Sequence, residues 1–316
     1  MLRLALEGRV TVNRPRQPFL LEAQAPGFIQ YLRAERGLQP STIYAYLHHL
    51  NWFGAFLKGA GVSRLGELSP ALLAAFVVAY APRLSSTSRV TLCCELRVFL
   101  QFCYRERIVG QDLRAAVEMP QVYRLADVPR AITWDEVRRM LETVDRRTIC
   151  GRRDYAILLL LVTYGLRGHE VAKLTLDDID WEHERLRIPE RKAGHSTAYP
   201  LASVVAEALI DYLKHGRPET ADRSLFFRML APQVPITNGA VSSRVAVYLQ
   251  RAGIKVHRPG AHTLRHTCVQ RLIDAEFPLK TIGDYIGHRS SESTRVYTKV
   301  ALASLREVAM GDGEAL

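Results

Sequence analysis

One nearly all-apolar run, residues 153–165, constrains the fold of this chain more than any other stretch. A helix without a polar face has to be buried on all sides, so this run is predicted to form the centre of a domain. Its longest apolar part, residues 156–164, has the length of a buried helix and is too short to cross a bilayer. The second half of the chain must therefore fold around this helix.

The first half of the chain is predicted to form a separate helical domain, because 316 residues are enough for two cores. Residues 26–36 form an amphipathic pattern. Pro40, Ser69 and Ser85 each mark a helix start that is followed by apolar residues at helical spacing. These patterns predict four helices between residues 19 and 110.

Prolines and stretches with few apolar residues predict the remaining domain boundaries. Pro15 and Pro18 interrupt any element at the start of the chain, and Pro120 and Pro129 lie in a stretch with few apolar repeats. The predicted parts, in chain order, are a flexible arm over residues 1–18, a helical domain over 19–110, a linker over 111–131 and a second domain over 132–316.

The second domain is predicted to be mostly helical with a small antiparallel sheet. Thr133 and Glu136 have the spacing of a capping box that opens a helix. The alternating residues 186–188, a turn at 191–195 and a returning segment at 197–201 predict a β-hairpin. Further helices are expected at about residues 202–214, 238–252, 262–275, 278–286, 290–298 and 301–310. The predicted fold class is therefore mainly α, with a mixed α/β second domain.

The charge of the chain indicates a polyanionic partner. The formal net charge is +11 and the isoelectric point is near 9.6, and no stretch concentrates this charge beside a lipid-facing anchor. Arginine supplies 36 of the 43 basic residues, which suits phosphate binding but also follows from genome composition. Residues 1–125 carry 15 basic and 8 acidic side chains, as expected of a domain that holds DNA electrostatically.

The five cysteines do not form a disulfide framework or a metal-binding pattern. Cys93, Cys94 and Cys103 lie in one apolar helical pattern, which favours packing in a core. The first 18 residues lack the apolar segment and cleavage site of a signal peptide. We therefore expect a reducing, cytoplasmic location without a membrane partner.

The residues best suited to chemistry lie between positions 262 and 297. His262 and Arg265 are three residues apart, which places them on one face of a helix whose first N–H groups favour anions. His288 follows a glycine and stands nine residues before Tyr297. An alternative is a zinc pair of His262 and His266, but this pair lacks the glutamate of HExxH and an evident third ligand.

This set of side chains matches the requirements for cutting a DNA phosphodiester. Cationic groups must neutralise the non-bridging oxygens, a nucleophile must attack in line, and an acid must protonate the leaving oxygen. A tyrosine phenol has a pKa of about 10 and needs a base or adjacent cations to react.

Motifs along the second domain resemble the signature of the tyrosine recombinases, the phage-integrase and Xer family. Arg167 and Glu170 stand in LR-x-x-E after the buried helix, although the intervening Gly168-His169 departs from the usual small or aliphatic pair. Lys192 precedes Pro200 by eight residues, without the second basic residue common in that turn. The remaining matches are the HxxR of His262 and Arg265, the GH of His288, and Tyr297.

The resemblance implies catalytic roles for Arg167, Lys192, His262, Arg265, His288 and Tyr297. In this family the tyrosine attacks the phosphate, the arginines hold its charge, and the hairpin lysine protonates the leaving 5′-oxygen. It also implies that His262 accepts the tyrosine proton or binds the phosphate, and that Glu170 orients its neighbours. Which histidine is the base stays open.

The implied function is a site-specific recombinase or integrase that cleaves and rejoins double-stranded DNA through a 3′-phosphotyrosine, without ATP, metal or another cofactor. The family also implies a homotetramer joined through the C-terminal helix, for which packing on its own domain is an equal alternative. Alternatives for the whole chain are a catalytically silent DNA-binding protein of the same fold, a transposase with the same chemistry, and a zinc hydrolase.

Overall fold

The computed structural model of the protein describes residues 18–121, 131–189 and 196–287. The chain divides into two compact units, Met1–Ala126 and Asp127–Leu316, and each has its own hydrophobic core. The elements are mostly helical, with one small antiparallel sheet. The predicted fold class is confirmed. Residues 1–17 of the predicted arm lie outside the described residues.

The helices of the first unit follow the predicted starts. They are α1 (Phe28–Gln30), continued by a wider π-helical turn (Tyr31–Glu35), α2 (Pro40–Gly59), α3 (Pro70–Tyr80) and α4 (Ser86–Arg105). The side-chain oxygens of Ser69 and Ser85 accept backbone N–H bonds at 3.3 and 3.2 Å and so cap α3 and α4. The predicted regular helix over 26–36 is wrong in detail, because Gly27 is left-handed, with φ 83°, and the helix widens after Gln30.

Aromatic side chains form the core of the first unit. Phe28, Phe53, Phe76 and Phe99 are fully buried. The rings of Phe28 and Phe99 meet edge to face with centroids 5.0 Å apart, and those of Phe53 and Phe76 lie 4.9 Å apart. Such pairs add specific geometry to the hydrophobic burial that stabilises the unit.

The first unit extends past the predicted domain end at residue 110. Leu113 and Val117 are buried in its core, and Arg97 donates from Nε to the carbonyl of Arg114 at 3.1 Å. Residues as far as Val117, within the stretch predicted to be a linker from residue 111, therefore pack on the helices of the first unit. At the other end, the carbonyl of Pro18 accepts a 3.1 Å bond from Asn51.

Within the described residues, the second unit contains the helices predicted as far as residue 286, together with one short helix and one strand that were not predicted. Its helices within the described ranges are α5 (Trp134–Glu142), α6 (Ile149–Tyr164), α7 (Gly168–Lys173), α8 (Ser203–His215), α9 (Asn238–Arg251), α10 (Ala261–Asp274) and α11 (Leu279–Ile286). Its strands are β1 (Ile179–Asp180), β2 (Arg185–Ile188) and β3 (Thr197–Pro200), paired antiparallel in that order. The predicted hairpin corresponds to β2 and β3, with Leu186 opposite Tyr199.

Helix α6 is the buried centre of the second unit, as predicted, and residues 156–162 are at most 5% exposed. It begins earlier than the apolar run, at Ile149, where the side chain of Thr148 caps it. The helix is not entirely apolar, because the charged residues Arg153 and Asp154 are also buried in it.

Arg153 and Asp154 belong to a buried polar network. Arg153 donates from Nε and Nη2 to Asp154 Oδ1 at 2.9 and 2.6 Å, and from Nη1 to the carbonyl of Phe227 at 2.9 Å. The hydroxyl of Tyr248 donates to Asp154 Oδ2 at 3.0 Å. The network ties α6 to α9 and to the segment before it, and every charge in it has an opposite charge or a hydrogen-bond partner.

The cysteine prediction is correct for two of its three residues. Cys93 and Cys103 are buried in the first core, and burial raises the pKa of the Cys103 thiol to about 12. Cys94 is exposed, so its predicted core position is wrong. All five cysteines are free thiols. Within the described residues, no helix combines the length and the apolar character that a membrane crossing requires.

Candidate active site

Arg167 stands at the junction between the buried helix α6 and α7. Its guanidinium donates from Nη1 to Glu170 Oε1 at 2.8 Å, and from Nη2 to the carbonyl of Gly287 at 3.0 Å. The backbone N–H of Arg167 donates to Glu170 Oε2 at 2.8 Å. Glu170 is 5% exposed, so one buried carboxylate fixes both the backbone and the side chain of the arginine.

Two glycines make this junction possible. Gly165 ends α6 in the left-handed conformation, with φ 60°, and a Cβ there would lie 3.2 Å from Cys268 Sγ and from Ile286 Cγ2. A Cβ on Gly168 would lie 2.5 Å from Asn238 Oδ1. Gly168, which departs from the usual family pattern, thus lies where α7 approaches α9 closely, and a larger residue there would require the Asn238 side chain to move.

Arg265 is buried in α10, with 3% of its surface exposed. Its Nη1 donates to the carbonyl of Gly165 at 2.5 Å, and its Nη2 donates to the carbonyl of Ile286 at 2.8 Å. The arginine therefore connects three segments: α10, the turn that leads to Arg167, and the end of α11.

The two arginines converge on one place in the fold. Both bind the C-terminal end of α11, Arg265 through Ile286 and Arg167 through Gly287, and both are close to the same turn at Gly165. One buried and one partly exposed guanidinium group, held at the same turn, supply positive charge of the kind that stabilises a phosphate. The sequence motifs predicted the two arginines but not the backbone carbonyls that hold them, because a carbonyl leaves no sign in the sequence.

His262 lies in the first turn of α10 and opens to the surface, whereas Arg265 on the same helix is buried. The protein packed around His262 lowers the pKa of its imidazole, and the positive charges of Arg265 and Arg167 lower it further. A pKa below the ordinary value of about 6.5 leaves this side chain neutral at pH 7. It can then accept a proton.

His266 is deeper in the same helix, and its ring centroid lies 6.2 Å from that of His262. Burial lowers the pKa of His266 to about 4, with smaller contributions from His262 and Arg265. This neutral histidine next to Arg265 fits a structural role in α10.

The lowered pKa of His266 predicts a pH-dependent stability. The unfolded chain binds a proton at this position below pH 6.5, whereas the folded protein resists it down to about pH 4. Stability is therefore fully present above pH 6.5 and should fall by about 2 kcal/mol between pH 6.5 and 5. We expect His266→Gln to flatten this dependence in urea unfolding, whereas His257→Gln, at an exposed position, should keep it. A wild-type curve that is flat over this range would contradict the account.

Three of the predicted site residues lie outside the described residues: Lys192, His288 and Tyr297. Helices predicted at 290–298 and 301–310 also lie outside them. The described part of the chain brings together Arg167, Glu170, His262 and Arg265, which sequence reasoning had placed in one site.

The zinc alternative gains no support from the described residues. His262 and His266 are adjacent on α10, but among residues 18–121, 131–189 and 196–287 no group of three or more histidine, cysteine, aspartate or glutamate side chains is arranged to hold a metal ion. A zinc site needs at least three such ligands.

Comparisons with known proteins agree with the two-unit fold. The family model of the phage integrase family matches residues 130–303, and the model of the phage integrase N-terminal SAM-like domain matches residues 26–107. These ranges fall in the second and the first unit, respectively.

Two relatives of known name match over nearly the whole chain. A putative integrase/recombinase, y4rA of Sinorhizobium fredii, is 35% identical over 294 residues, which cover 93% of this chain and 71% of that protein. The tyrosine recombinase XerC of Oceanobacillus iheyensis is 29% identical over 296 residues, covering 92% and 95% of the two chains.

A solved structure has the same fold at low sequence identity. It is the XerH site-specific recombinase bound to the palindromic difH substrate, in a post-cleavage complex. The two chains superpose with a TM-score of 0.70 at 20% identity, over 91% of this chain and 84% of the other.

Proposed function

This chain belongs to the phage integrase family of tyrosine recombinases, and from that premise we propose that Tyr297 is the nucleophile with which it cuts DNA. The chain is a site-specific recombinase that acts on DNA. Integration, dimer resolution and transposition all use the same cleavage and rejoining chemistry. The assignment of individual residues to steps of that chemistry is our proposal.

In the proposed first step, the phenolic oxygen of Tyr297 bonds to the scissile phosphorus, and the bond from phosphorus to the 5′-oxygen breaks. The phenol proton passes to His262, and Lys192 gives a proton to the departing 5′-oxygen. The products are a 3′-phosphotyrosine and a free 5′-hydroxyl. The hydroxyl of a second strand then attacks the phosphotyrosine, so strands are exchanged without hydrolysis.

The arrangement of Arg167 and Arg265 is the main structural support for this proposal. Both guanidinium groups bind the end of α11, at Ile286 and Gly287, immediately before His288 in the chain. Two fixed cations can neutralise the non-bridging oxygens of a phosphate, a role that metal ions take in other phosphoryl transfers. The cations are positioned before the substrate arrives, so little reorganisation is needed.

The neutral state of His262 supports its role as the base. Desolvation by the surrounding protein and the charges of Arg265 and Arg167 lower the pKa of its imidazole, so the free protein presents it unprotonated near pH 7. Protonated at that pH, it could only donate to the phosphate. We therefore assign proton acceptance to His262 and expect His288 to bind the phosphate.

We also propose how copies of the chain assemble on DNA. Strand exchange between two duplexes needs four nucleophiles, so we expect four copies of the chain on DNA. The helix predicted at 301–310 is the element through which the copies would join. Because the substrate is DNA, we expect a cytoplasmic location.

Strand transfer in the presence of a chelator tests this function. DNA fragments bound by the Tyr297→Phe protein are first selected from the genome that encodes the chain, so that the target does not need to be known. Duplexes with the selected sequence are then incubated with wild-type protein. We expect recombinant products with wild type and none with Tyr297→Phe, although both bind. Binding without any cleavage by wild type would favour a catalytically silent DNA-binding protein.

A further inference from the structure

Three tyrosines from separate elements pack in a row beside the arginine site. They are Tyr164 at the end of α6, Tyr199 in β3 and Tyr285 in α11. The ring centroids of Tyr164 and Tyr199 are 5.1 Å apart, and those of Tyr199 and Tyr285 are 5.0 Å apart with the rings edge to face. Tyr164 and Tyr199 are 2% and 3% exposed. We call this set the tyrosine cluster.

The hydroxyls of the tyrosine cluster connect its three segments in a closed circuit. Tyr164 donates to the carbonyl of Pro200 at 3.0 Å, which joins α6 to the end of β3. Tyr199 donates to the carbonyl of Tyr285, which joins β3 to α11. Tyr285 donates to the carbonyl of Thr163 at 3.1 Å, which joins α11 back to α6.

Each of the three segments leads directly to a residue of the proposed site. The segment at Tyr164 continues into the turn that carries Arg167. The segment at Tyr285 ends at Gly287, whose carbonyl accepts a bond from Arg167. Strand β3 begins at Thr197, five residues after Lys192 in the sequence. The cluster therefore joins the strand that follows the predicted acid to the two segments that hold the phosphate arginines.

Core packing alone does not explain the hydroxyls. Phenylalanine would fill the same space without a buried polar group, and a buried hydroxyl without a partner is costly. Here each hydroxyl donates to a backbone carbonyl in another segment. Burial also raises the pKa of Tyr164, so its phenol stays protonated and remains a donor.

We propose that the tyrosine cluster is a set of positioning residues, which hold the β2–β3 hairpin against the arginine site so that Lys192 protonates the leaving 5′-oxygen. This inference rests on the proposed function. Lys192 stands between β2 and β3 in the sequence, whereas the two arginines bind carbonyls at the ends of α6 and α11. The cluster bonds β3 to both of these helix ends. A displacement of about 1 Å in such a group reduces rates by roughly 100-fold.

A substitution in the cluster could slow cleavage either by displacing the acid or by unfolding part of the protein. A substrate whose leaving group needs no proton distinguishes these two effects. In the test duplex, sulfur replaces the bridging 5′-oxygen at the scissile phosphate, and a thiolate of low pKa leaves without protonation. The measured quantity is the cleavage rate on the sulfur duplex divided by that on the oxygen duplex. A smaller fraction of folded protein slows both reactions equally and leaves this ratio unchanged.

We expect Tyr199→Phe to slow cleavage of the oxygen duplex by about 10- to 100-fold and cleavage of the sulfur duplex by less than roughly 3-fold. Tyr285→Phe, which removes a different bond of the circuit, should give the same pattern, and Lys192→Ala a stronger one. Tyr248→Phe is the matched control, because it removes a buried hydroxyl bound to Asp154 and should leave the ratio at the wild-type value.

The outcomes distinguish the inference from the function on which it rests. Equal slowing on both duplexes by Tyr199→Phe and Tyr285→Phe, or no slowing on either, would overturn the positioning role. Equal slowing by Lys192→Ala would remove the proton-donor assignment and the inference with it. A wild-type protein that cleaves neither duplex would refute the proposed function itself.

Discussion

Arg265→Lys is expected to reduce DNA cleavage by at least about 100-fold, equivalent to roughly 3 kcal/mol of transition-state stabilisation. The substitution keeps the positive charge but replaces a planar group with several donors by a single ammonium. That ammonium cannot reach the carbonyls of Gly165 and Ile286, which Arg265 now binds through two nitrogens, and a phosphate as well. Binding of DNA should change much less, because it depends on many phosphate contacts.

The same substitution elsewhere on α10 provides the control. Arg271 lies over the ring of Trp134, with its guanidinium carbon 4.1 Å from the ring centroid, and takes no part in the site. Arg271→Lys should leave the cleavage rate at the wild-type value. Single-turnover cleavage with saturating protein separates chemistry from binding. A cleavage rate for Arg265→Lys within a few-fold of wild type would contradict the role of this arginine.

Asp154→Asn is expected to destabilise the second unit by about 3–5 kcal/mol, because it leaves the buried guanidinium of Arg153 without its counter-charge. The carboxylate is 1% exposed and accepts bonds from both Arg153 and Tyr248. Since a folded domain has only about 5–15 kcal/mol of stability, such a loss should be visible as a large drop in the urea midpoint of unfolding.

Two further variants show whether charge is the cause. Asp177→Asn breaks an exposed pair with Arg223 and should leave the urea midpoint unchanged, because ion pairs in water contribute little. The double variant Arg153→Met/Asp154→Leu removes both charges and should recover much of the loss caused by Asp154→Asn alone. Equal midpoints for Asp154→Asn and wild type would contradict the account of the network.

The sequence predicted those parts of the fold that depend on local patterns. The caps at Ser69, Ser85 and Thr133 and the apolar run of α6 gave correct helices, because each of these signals acts within a few residues. The widened turn after Gln30 was not predicted, since nothing in the local pattern distinguishes it from a regular helix. The burial of Leu113 and Val117 within the predicted linker was not expected, because residues distant in sequence cover them.

For the candidate site, too, the sequence predicted the residues in local motifs but not the contacts between distant segments. The motifs identified Arg167, Glu170, His262 and Arg265, and the structure brings these four together. What the motifs could not give is the set of long-range bonds to backbone carbonyls, such as that from Arg265 to Ile286. The tyrosine cluster was missed for the same reason, because its members are up to 121 positions apart and each reads as an ordinary core residue.

We expect Tyr297 to bond covalently to DNA during cleavage. The most direct test is to trap the adduct on nicked duplexes carrying selected binding sequences, with chelator present, and to identify the modified peptide by mass spectrometry. We predict a DNA 3′-phosphate esterified to the tyrosine oxygen of the peptide that contains Tyr297, and a free 5′-hydroxyl on the released strand. No adduct should form with Tyr297→Phe. An adduct on any other residue, or cleavage without an adduct, would contradict the claim.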